Sequence, residues 1–397
     1  METKRYVALE ISSNKIKMLV GYTLNSQVYV LSVKENKCIV LKDGTLQSKD
    51  DIIKAIKALK ESIEKELEIT INSTYVILPP FSFECIASSG TTRTHSGSNI
   101  DAIDIKNALD YAKNMELSSQ SIFIDTLPYL YRLDNSERLT FLPLGRKATH
   151  IEIFVKHYAI HKASKDFFDS IFLALNIKVL NYIISPHAAA RYLALNENLP
   201  TSYFLVDMGQ ELTTFSLIQG GKDVLSSKIH RFSGRLLSEE IANNLNITID
   251  KAEDIKCLYG LDENPNFDFE IEKGITLSKV SDIIKNYFVS FMEMLNKFIK
   301  YNSKSEEHKI PILIIGGGMN LKGITRFLAS KINYDVLRPI PSTYGARKTS
   351  YISLLGAMVY AKEKEDFLNA LQQNEEVKVK ENEFDLTREV KNGTSKL

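Results

Sequence analysis

The chain has 397 residues, of which 44% are hydrophobic and 25% charged, a composition typical of soluble globular proteins and a length that suggests about two to four domains. Its formal net charge of +1 gives no electrostatic reason to expect a nucleic-acid or anionic-membrane partner. Cys38, Cys85 and Cys257 stand singly, without CxxC spacing, which argues against a disulfide framework or a zinc site and fits a reducing cytoplasm. No stretch approaches the roughly 20 apolar residues that span a bilayer.

The first 80 residues predict a strand meander followed by a helix and a strand. An apolar strand ends at the carboxylate of Glu10, the small polar turn Ser12-Ser13-Asn14 follows, and two more strands continue to about residue 33. A surface helix is predicted over residues 50–67 and a strand over 74–78. Pro79 and Pro80 then indicate a change of module.

The next segment predicts a small α+β unit inserted into the first domain. Its pattern is a strand over 83–88, a helix over 101–115, and strands over 121–131 and 149–155. The main chain then resumes with a helix over 162–175, a strand over 178–184 and an alanine-rich helix over 186–195, whose small residues permit close packing.

A second meander, residues 203–221, has an apolar strand ending near Asp207, a turn with Gly209, and a strand over 212–218 that leads into a third over 224–232. Gly209 lets the backbone approach a bound group, and Asp207 could hold a hydrated Mg²⁺. Taken alone, the stretch also fits an ordinary β-hairpin. Because it repeats the first meander, the two predict a duplicated fold with two loops facing one ligand.

The remaining segments complete the second half of the chain. Helices are predicted over 238–245, 250–259 and 277–300, the last with an apolar stripe expected to lie in the core. A buried strand over 310–315 leads to Gly316, Gly317 and Gly318 and then a helix over 321–331, which would let backbone lie against a flat ligand or a phosphate. A closing helix over 350–362 precedes a charged tail, expected to be disordered.

In this order, the segments resemble the FtsA family of bacterial cell-division proteins, within the actin-like ATPases, over about residues 5–362. LEISSNK resembles the first phosphate motif, VDMGQELT the second and LIIGGGMNLKGI the adenosine motif. FECIASSG, DIKNALDYAK, LPYLYRLD and FLPLG resemble the inserted 1C domain, and DKAEDIKCLYG resembles the helix beside the adenosine. Residues 186–195 and 351–356 resemble the two hinge segments.

The resemblance implies an α/β, actin-like (ribonuclease H-like) duplicated fold with an inserted α+β 1C domain. The domains it implies are 1A at residues 1–73, 160–197 and 346–370, 1C at 74–159, 2A at 198–230 and 303–345, 2B at 231–302, and a charged tail at 371–397.

The resemblance also implies a site for ATP and Mg²⁺, in which Glu10 and Asp207 are the catalytic residues and hold Mg²⁺ through water. The chain departs from the family motifs at several of these positions: Glu10 stands where the family has Asp and Ser12 where it has Gly. In the second loop, Gln210, Glu211 and Leu212 replace a Gly-Gly-Thr portion and Thr214 replaces an acid, so we expect at most a slow ATPase. The implied cofactor-binding residues are Ser12, Ser13, Asn14, Lys15, Gly209, Gln210, Thr213, Gly234, Glu253, Lys256, Gly316, Gly317, Gly318 and Met319.

The implied function is to recruit FtsZ filaments at the division site, with the FtsZ C-terminal peptide docking on domain 2B partly through Lys279, Lys285 and Lys297. Self-association into filaments is also implied, with a cytoplasmic location and peripheral contact with the inner face of the cell membrane. The tail mixes its few apolar residues with acids, so we expect membrane attachment to be weak or indirect. The alternatives are a PilM-like pilus-assembly protein and an actin-fold small-molecule kinase, for which no general base can be assigned.

Overall fold

The computed structural model describes residues 4–79, 83–94, 99–134, 137–261, 268–303 and 310–393. The strands in chain order are β1 Tyr6–Ile11, β2 Lys15–Leu24, β3 Gln27–Lys37, β4 Leu41–Lys42, β5 Thr45–Leu46, β6 Ser73–Ile77, β7 Phe83–Arg93, β8 Ser121–Leu133, β9 Glu137–Leu139, β10 His150–His161, β11 Lys178–Ile183, β12 Tyr203–Met208, β13 Thr213–Gln219, β14 Asp223–His230, β15 Glu270–Glu272, β16 Ile275–Thr276, β17 Ile312–Ile315 and β18 Val336–Leu337. The α-helices are α1 Lys49–Leu67, α2 Ala102–Lys113, α3 Lys162–Ala174, α4 Ser185–Leu193, α5 Gly234–Leu245, α6 Ile249–Tyr259, α7 Leu277–Asn302, α8 Ile324–Lys331 and α9 Ile352–Gly393.

Two five-stranded sheets repeat one topology. The first has the order β11-β6-β1-β2-β3 and the second the order β14-β13-β12-β17-β18. In each, an antiparallel meander continues into two parallel strands: β1 pairs with β6, and β12 with β17. The duplicated α/β fold predicted from the two meanders is therefore confirmed, and β1 and β12 occupy equivalent central positions.

The second half of the chain is built around the apolar face of α7. Its buried residues are Val280, Ile284, Phe288, Phe291, Leu295, Phe298 and Ile299. Phe291 packs edge-on against Phe215 of β13, with ring centroids 5.4 Å apart. The prediction that this stripe lies in the core is confirmed.

The chain forms two compact units, and one of them contains the inserted segment. This unit comprises residues 83–165 and 361–397, and the other comprises residues 1–82 and 166–360. The inserted segment forms its own sheet, with the order β7-β10-β8-β9, and α2 packs on β7. A Cβ at Gly90 would lie only 2.5 Å from the amide nitrogen of Ala112, so glycine allows this close approach.

The inserted unit begins later than the sequence predicts. The boundary placed at residue 74 is wrong, because β6 pairs in parallel with both β1 and β11 in the first sheet. Val76 and Ile77 are fully buried there, as expected for a central strand. The change of module therefore follows β6, and the inserted unit starts at residue 83.

The closing helix also differs from the prediction, because α9 continues to Gly393 instead of ending near residue 362 before a disordered tail at 371–397. Leu371 is 4% exposed and, with Phe367, packs against the apolar core of the inserted unit. The Asn374 side chain accepts the Ala102 N–H at 2.9 Å, which satisfies a donor in the first turn of α2. These partners are remote in sequence, so composition alone could not predict the ordered helix. Residues 394–397 lie outside the described part.

The two segments that resemble hinges lie in helices that cross closely. A Cβ at Gly356 of α9 would overlap the carbonyl oxygen of Ala188 in α4 and lie 2.5 Å from its carbonyl carbon. Ala188, Ala189 and Ala190 are fully buried. The small residues predicted to permit close packing are therefore used at this crossing.

Candidate functional site

The equivalent strands β1 and β12 bring Glu10 and Asp207 near each other. Desolvation and the neighbouring Glu10 carboxylate raise the pKa of Asp207 to about 6, although Lys17 and a hydrogen bond from Ser185 act in the opposite direction. Ser185 Oγ donates to Asp207 Oδ2 at 3.1 Å and lies 2.9 Å from Ser353 Oγ. The carboxyl group of Asp207 is thus linked to the first residues of both α4 and α9.

Lys17 is a central residue of this site that sequence reasoning missed. It is opposite Glu10 in the β1–β2 ladder, and its Nζ lies 3.0 Å from Glu10 Oε1. The same Nζ donates to the carbonyl oxygen of Ser350 at 2.7 Å. Both charged residues are buried, with 5% of Lys17 and 9% of Glu10 exposed. The signal was a lysine set among the apolar residues Ile16, Met18, Leu19 and Val20, just after the turn that follows Glu10.

The predicted water-mediated Mg²⁺ site does not fit this arrangement. Mg²⁺ requires near-octahedral geometry and keeps several of its waters, so its carboxylate ligands need free space around them. One oxygen of Glu10 is paired with Lys17, and the other, Oε2, is buried and has no hydrogen-bond partner among the described residues. The ammonium of Lys17 is therefore already the counter-charge of Glu10 in this arrangement.

The first candidate loop is a tight turn with internal hydrogen bonds. The backbone N–H and the hydroxyl of Ser12 both donate to the carbonyl oxygen of Lys15, at 2.9 and 2.7 Å. The carbonyl oxygens of Ser13 and Asn14 accept bonds from the segment that follows β3. The ammonium of Lys15 lies 3.2 Å from Glu35 Oε1 near the surface, and so is paired outside the loop.

The second candidate loop is bonded to the start of α5. Gly209 donates to the carbonyl oxygen of Leu212 at 2.9 Å and accepts from the N–H of Gly234 at 3.0 Å, while the Gln210 carbonyl oxygen accepts from the N–H of Arg235 at 2.9 Å. A Cβ at Gly234 would lie 3.0 Å from Gln210 Oε1. The structure therefore brings together three of the predicted residues, Gly209, Gln210 and Gly234.

Thr213, the residue that follows this loop, is held in the core. Its side chain is fully buried, and its hydroxyl donates to the carbonyl oxygen of Phe232. The hydroxyl predicted to bind phosphate is therefore already engaged by the backbone.

Arg235 is a second residue that sequence reasoning missed, and it joins the two halves of the fold. Its Nε lies 2.9 Å from Glu211 Oε1 in the second loop. Its Nη2 lies 2.7 Å from Asp43 Oδ1, in the turn between β4 and β5 of the first half. The guanidinium also pairs with Glu239, one turn along α5. These ion pairs connect the second loop to the first half of the duplicated fold.

On the predicted adenosine side, Glu253 and Lys256 of α6 meet the start of α5. Lys256 Nζ donates to the carbonyl oxygen of Gly234 at 2.8 Å, to Ser238 Oγ at 2.8 Å and to Glu253 Oε2 at 2.6 Å. Burial disfavours the charged form of Glu253 and so raises its pKa. Hydrogen bonds from Lys256 and Ser238 outweigh this effect and hold the pKa of Glu253 below its ordinary value. The half-exposed carboxylate and the buried ammonium therefore form an ion pair beside Gly234.

The three glycines after β17 have different roles. Gly316 has φ +88° and ψ 166°, a region open to glycine alone, and its Cβ would lie 2.5 Å from the carbonyl oxygen of Met208 and closer still to Asp207 Oδ1. A Cβ at Gly318 would lie 2.6 Å from Met208 Cγ, whereas one at Gly317 would meet nothing within 4 Å. Two glycines therefore allow the turn to approach the end of β12.

The residues after the glycines also differ from the prediction. A 3₁₀ turn spans Gly317–Asn320, and α8 begins only at Ile324, not at residue 321. Gly323, with φ +77°, separates the two elements. Met319 is fully buried, so its side chain is part of the core and not of the cleft surface.

Comparison with known proteins finds relatives that align with nearly the whole chain. No family model matches the chain. The cell-division protein FtsA of Staphylococcus epidermidis is 24% identical, and the alignment covers 98% of this chain and 87% of that protein. FtsA of Enterococcus faecalis is 22% identical over 92% of this chain and 85% of that protein. The chain is a divergent relative of FtsA.

Solved structures agree with this assignment at the level of the fold. The PilM–PilN type IV pilus biogenesis complex matches with a TM-score of 0.62 at 15% identity, over 89% of this chain and 98% of that one. MreB5 of Spiroplasma citri bound to AMPPNP matches with a TM-score of 0.55 at 12% identity, over 93% and 99%. The predicted actin-like fold is therefore confirmed for this FtsA relative.

The three lysines predicted to contact FtsZ are spread around α7. Lys279 and Lys297 are separated by 18 residues, or about five turns, and so lie on one face about 27 Å apart. Lys285 lies about 120° around the helix axis from that face. Its Nζ is 3.4 Å from Asp282 Oδ1. The helix therefore does not present the three lysines as one patch.

Within the ranges described above, no helix of this FtsA relative combines the length and apolar character needed to cross a membrane.

Proposed function

We propose that this FtsA relative binds ATP in the cleft between its two actin-like halves and acts as a scaffold for FtsZ at the division site. The observation that carries the proposal is the meeting of Glu10 and Asp207, which come from equivalent strands of the duplicated fold. The structure of MreB5 bound to AMPPNP, which shares the fold, supports a nucleotide as the ligand.

In this proposal the phosphates lie between residues 12–15 and residues 209–212. The adenosine lies near Gly234, Glu253 and Lys256 and against the backbone of residues 316–318. Thr213 and Met319 are left out because both are buried in the core. Mg²⁺, which the sequence implied, is not assigned to Glu10 because Lys17 is paired with that carboxylate.

We expect hydrolysis to be slow at most. A general base must reach the proton it removes, and its pKa must suit the operating pH. Glu10 is engaged by a buried ammonium, and one oxygen of Asp207 accepts a bond from Ser185. Each carboxylate therefore has one oxygen already held by a neighbouring side chain, which limits how it can orient a water for efficient turnover.

The scaffold role rests on the FtsA relatives, which match nearly the whole chain. We propose that the protein binds the C-terminal peptide of FtsZ along α7, associates with copies of itself into filaments, and works in the cytoplasm on the inner face of the cell membrane. Contact with the membrane is weak or indirect in this proposal, and nucleic acid is not a partner. The similarity to the PilM–PilN complex shows a shared fold only, so it does not support the pilus-assembly alternative.

If the FtsZ peptide binds along α7, charge reversal should weaken its binding only on the helix face that carries Lys279 and Lys297. Changing Lys279 and Lys297 together to glutamate should weaken binding of an acidic FtsZ tail by about 5-fold or more, since exposed ion pairs contribute up to about 1 kcal/mol each. An extended peptide of about eight residues spans the 27 Å or so between them. Fluorescence anisotropy with the labelled tail of the same organism's FtsZ measures the affinity.

Lys285→Glu is the matched control for this experiment, because Lys285 is on a different face of the same helix and is already paired with Asp282. It should change the affinity by less than about 2-fold. Equal losses in both variants would indicate a non-specific charge effect, and an unchanged affinity in both would reject α7 as the docking surface.

A further inference from the structure

The buried ammonium of Lys17 lies beside the two carboxylates, Glu10 and Asp207, to which the resemblance assigned a bound cation. It is 3.0 Å from Glu10 Oε1, and its charge also acts on Asp207. Lysine has three N–H donors. In the described part of the chain, two are used, by Glu10 and by the carbonyl oxygen of Ser350.

Lys17 is held in place from several sides. It projects from a central strand whose register with β1 places it opposite Glu10. The ring of Tyr351 lies 5.8 Å from its Nζ, and the Ser350 carbonyl oxygen accepts its N–H at 2.7 Å. A buried charge with this many contacts cannot move into solvent without leaving two carboxylates unneutralised, which is strongly unfavourable.

We propose that Lys17 replaces the divalent cation of the nucleotide site, so that adenine nucleotide binds in this cleft without Mg²⁺. This inference rests on the nucleotide-binding function proposed above. The ammonium stays in the site permanently and offsets one of its two carboxylate charges, and its remaining N–H is a donor for a phosphate oxygen. A fixed ammonium is a point charge suited to phosphate, as in other phosphate-binding lysines.

The proposal predicts how binding responds to chelation. ATP titrated into the purified full-length chain should bind with similar affinity, within about 3-fold, in millimolar Mg²⁺ and in excess EDTA. A fall in affinity of more than 10-fold in EDTA would overturn the proposal, because it would show that a metal is required. An absence of binding under both conditions would instead contradict the proposed nucleotide-binding function itself.

Removal of the lysine should reverse this behaviour. Lys17→Met should bind ATP at least about 10-fold more weakly than the wild type in EDTA and should recover much of that loss in Mg²⁺. If this variant does not fold, Glu10→Gln/Lys17→Met removes both members of the ion pair and keeps the volume similar. In EDTA, this double variant should also bind ATP at least about 10-fold more weakly than the wild type. Wild-type affinity in EDTA in either variant would overturn the role of Lys17.

Lys34→Met is the control for these titrations. Lys34 lies on the neighbouring strand β3 and pairs with Glu66 at 2.7 Å, outside the candidate site. Its removal deletes one positive charge from the same sheet, and it should leave the ATP affinity unchanged with and without Mg²⁺. A loss equal to that of Lys17→Met would assign the effect to net charge and overturn the specific role of Lys17.

Discussion

Replacing Lys17 with methionine should lower the free energy of unfolding by about 3–5 kcal/mol, the usual cost of removing one partner of a buried ion pair. The variant leaves the Glu10 carboxylate buried and uncompensated, next to a second carboxylate in Asp207. It also leaves the carbonyl oxygen of Ser350 without the N–H that Lys17 donates. Urea unfolding at neutral pH, followed by circular dichroism, measures the loss.

Lys15→Met is the matched control, because it removes the same side chain two residues earlier on the same strand. Lys15 is paired with Glu35, but both side chains are about one-third exposed. Its removal should cost no more than about 1 kcal/mol. Glu10→Gln/Lys17→Met should be clearly more stable than Lys17→Met alone, since only one carboxylate then remains. Similar losses for Lys15 and Lys17 would contradict the buried pair.

Replacing Gly316 with alanine should also destabilise the fold strongly, by about 2–5 kcal/mol. Its backbone conformation is restricted to glycine and costs other residues about 1–3 kcal/mol, and overpacking adds a similar amount. The new methyl group would be forced against Met208 and the carboxyl group of Asp207. In any folded fraction, the displaced Asp207 should reduce ATP affinity at least about 10-fold.

Gly317→Ala tests whether this cost is specific to the geometry of Gly316. It makes the same substitution one residue later, where the added Cβ meets nothing within 4 Å. The free energy of unfolding should change by less than about 0.5 kcal/mol, as for most surface substitutions. Thermal and urea unfolding of the two variants side by side provide the comparison. If both variants were as stable as the wild type, the close approach of this turn to β12 would be wrong.

Features that depend on local pattern could be predicted from the sequence. The two meanders, the apolar stripe of α7 and the close helix crossing at Ala188 follow from the spacing of apolar and small residues. Each requires only the period of a strand or a helix and the residues that suit it. For the same reason Glu10 and Asp207 could be placed at strand ends facing one site.

Features that depend on which side chains meet could not be predicted in this way. Lys17 is paired with Glu10 only through the register of β1 with β2, and Arg235 reaches Asp43 only when two distant segments come together. The burial of Thr213 and the bond from its hydroxyl to Phe232 are set by tertiary packing. The sequence pattern therefore could not show that this hydroxyl is already engaged. The long α9 follows from contacts of Phe367 and Leu371 with the inserted unit.

The central claim is that an adenine nucleotide occupies the cleft where Glu10, Lys17 and Asp207 meet. Isothermal titration calorimetry of ATP into the purified full-length chain tests it most directly, with one series in millimolar Mg²⁺ and one in EDTA. We predict saturable binding of one nucleotide per chain, with a dissociation constant below about 1 mM, corresponding to about −4.1 kcal/mol or stronger. No binding at millimolar ATP in either series would contradict the account.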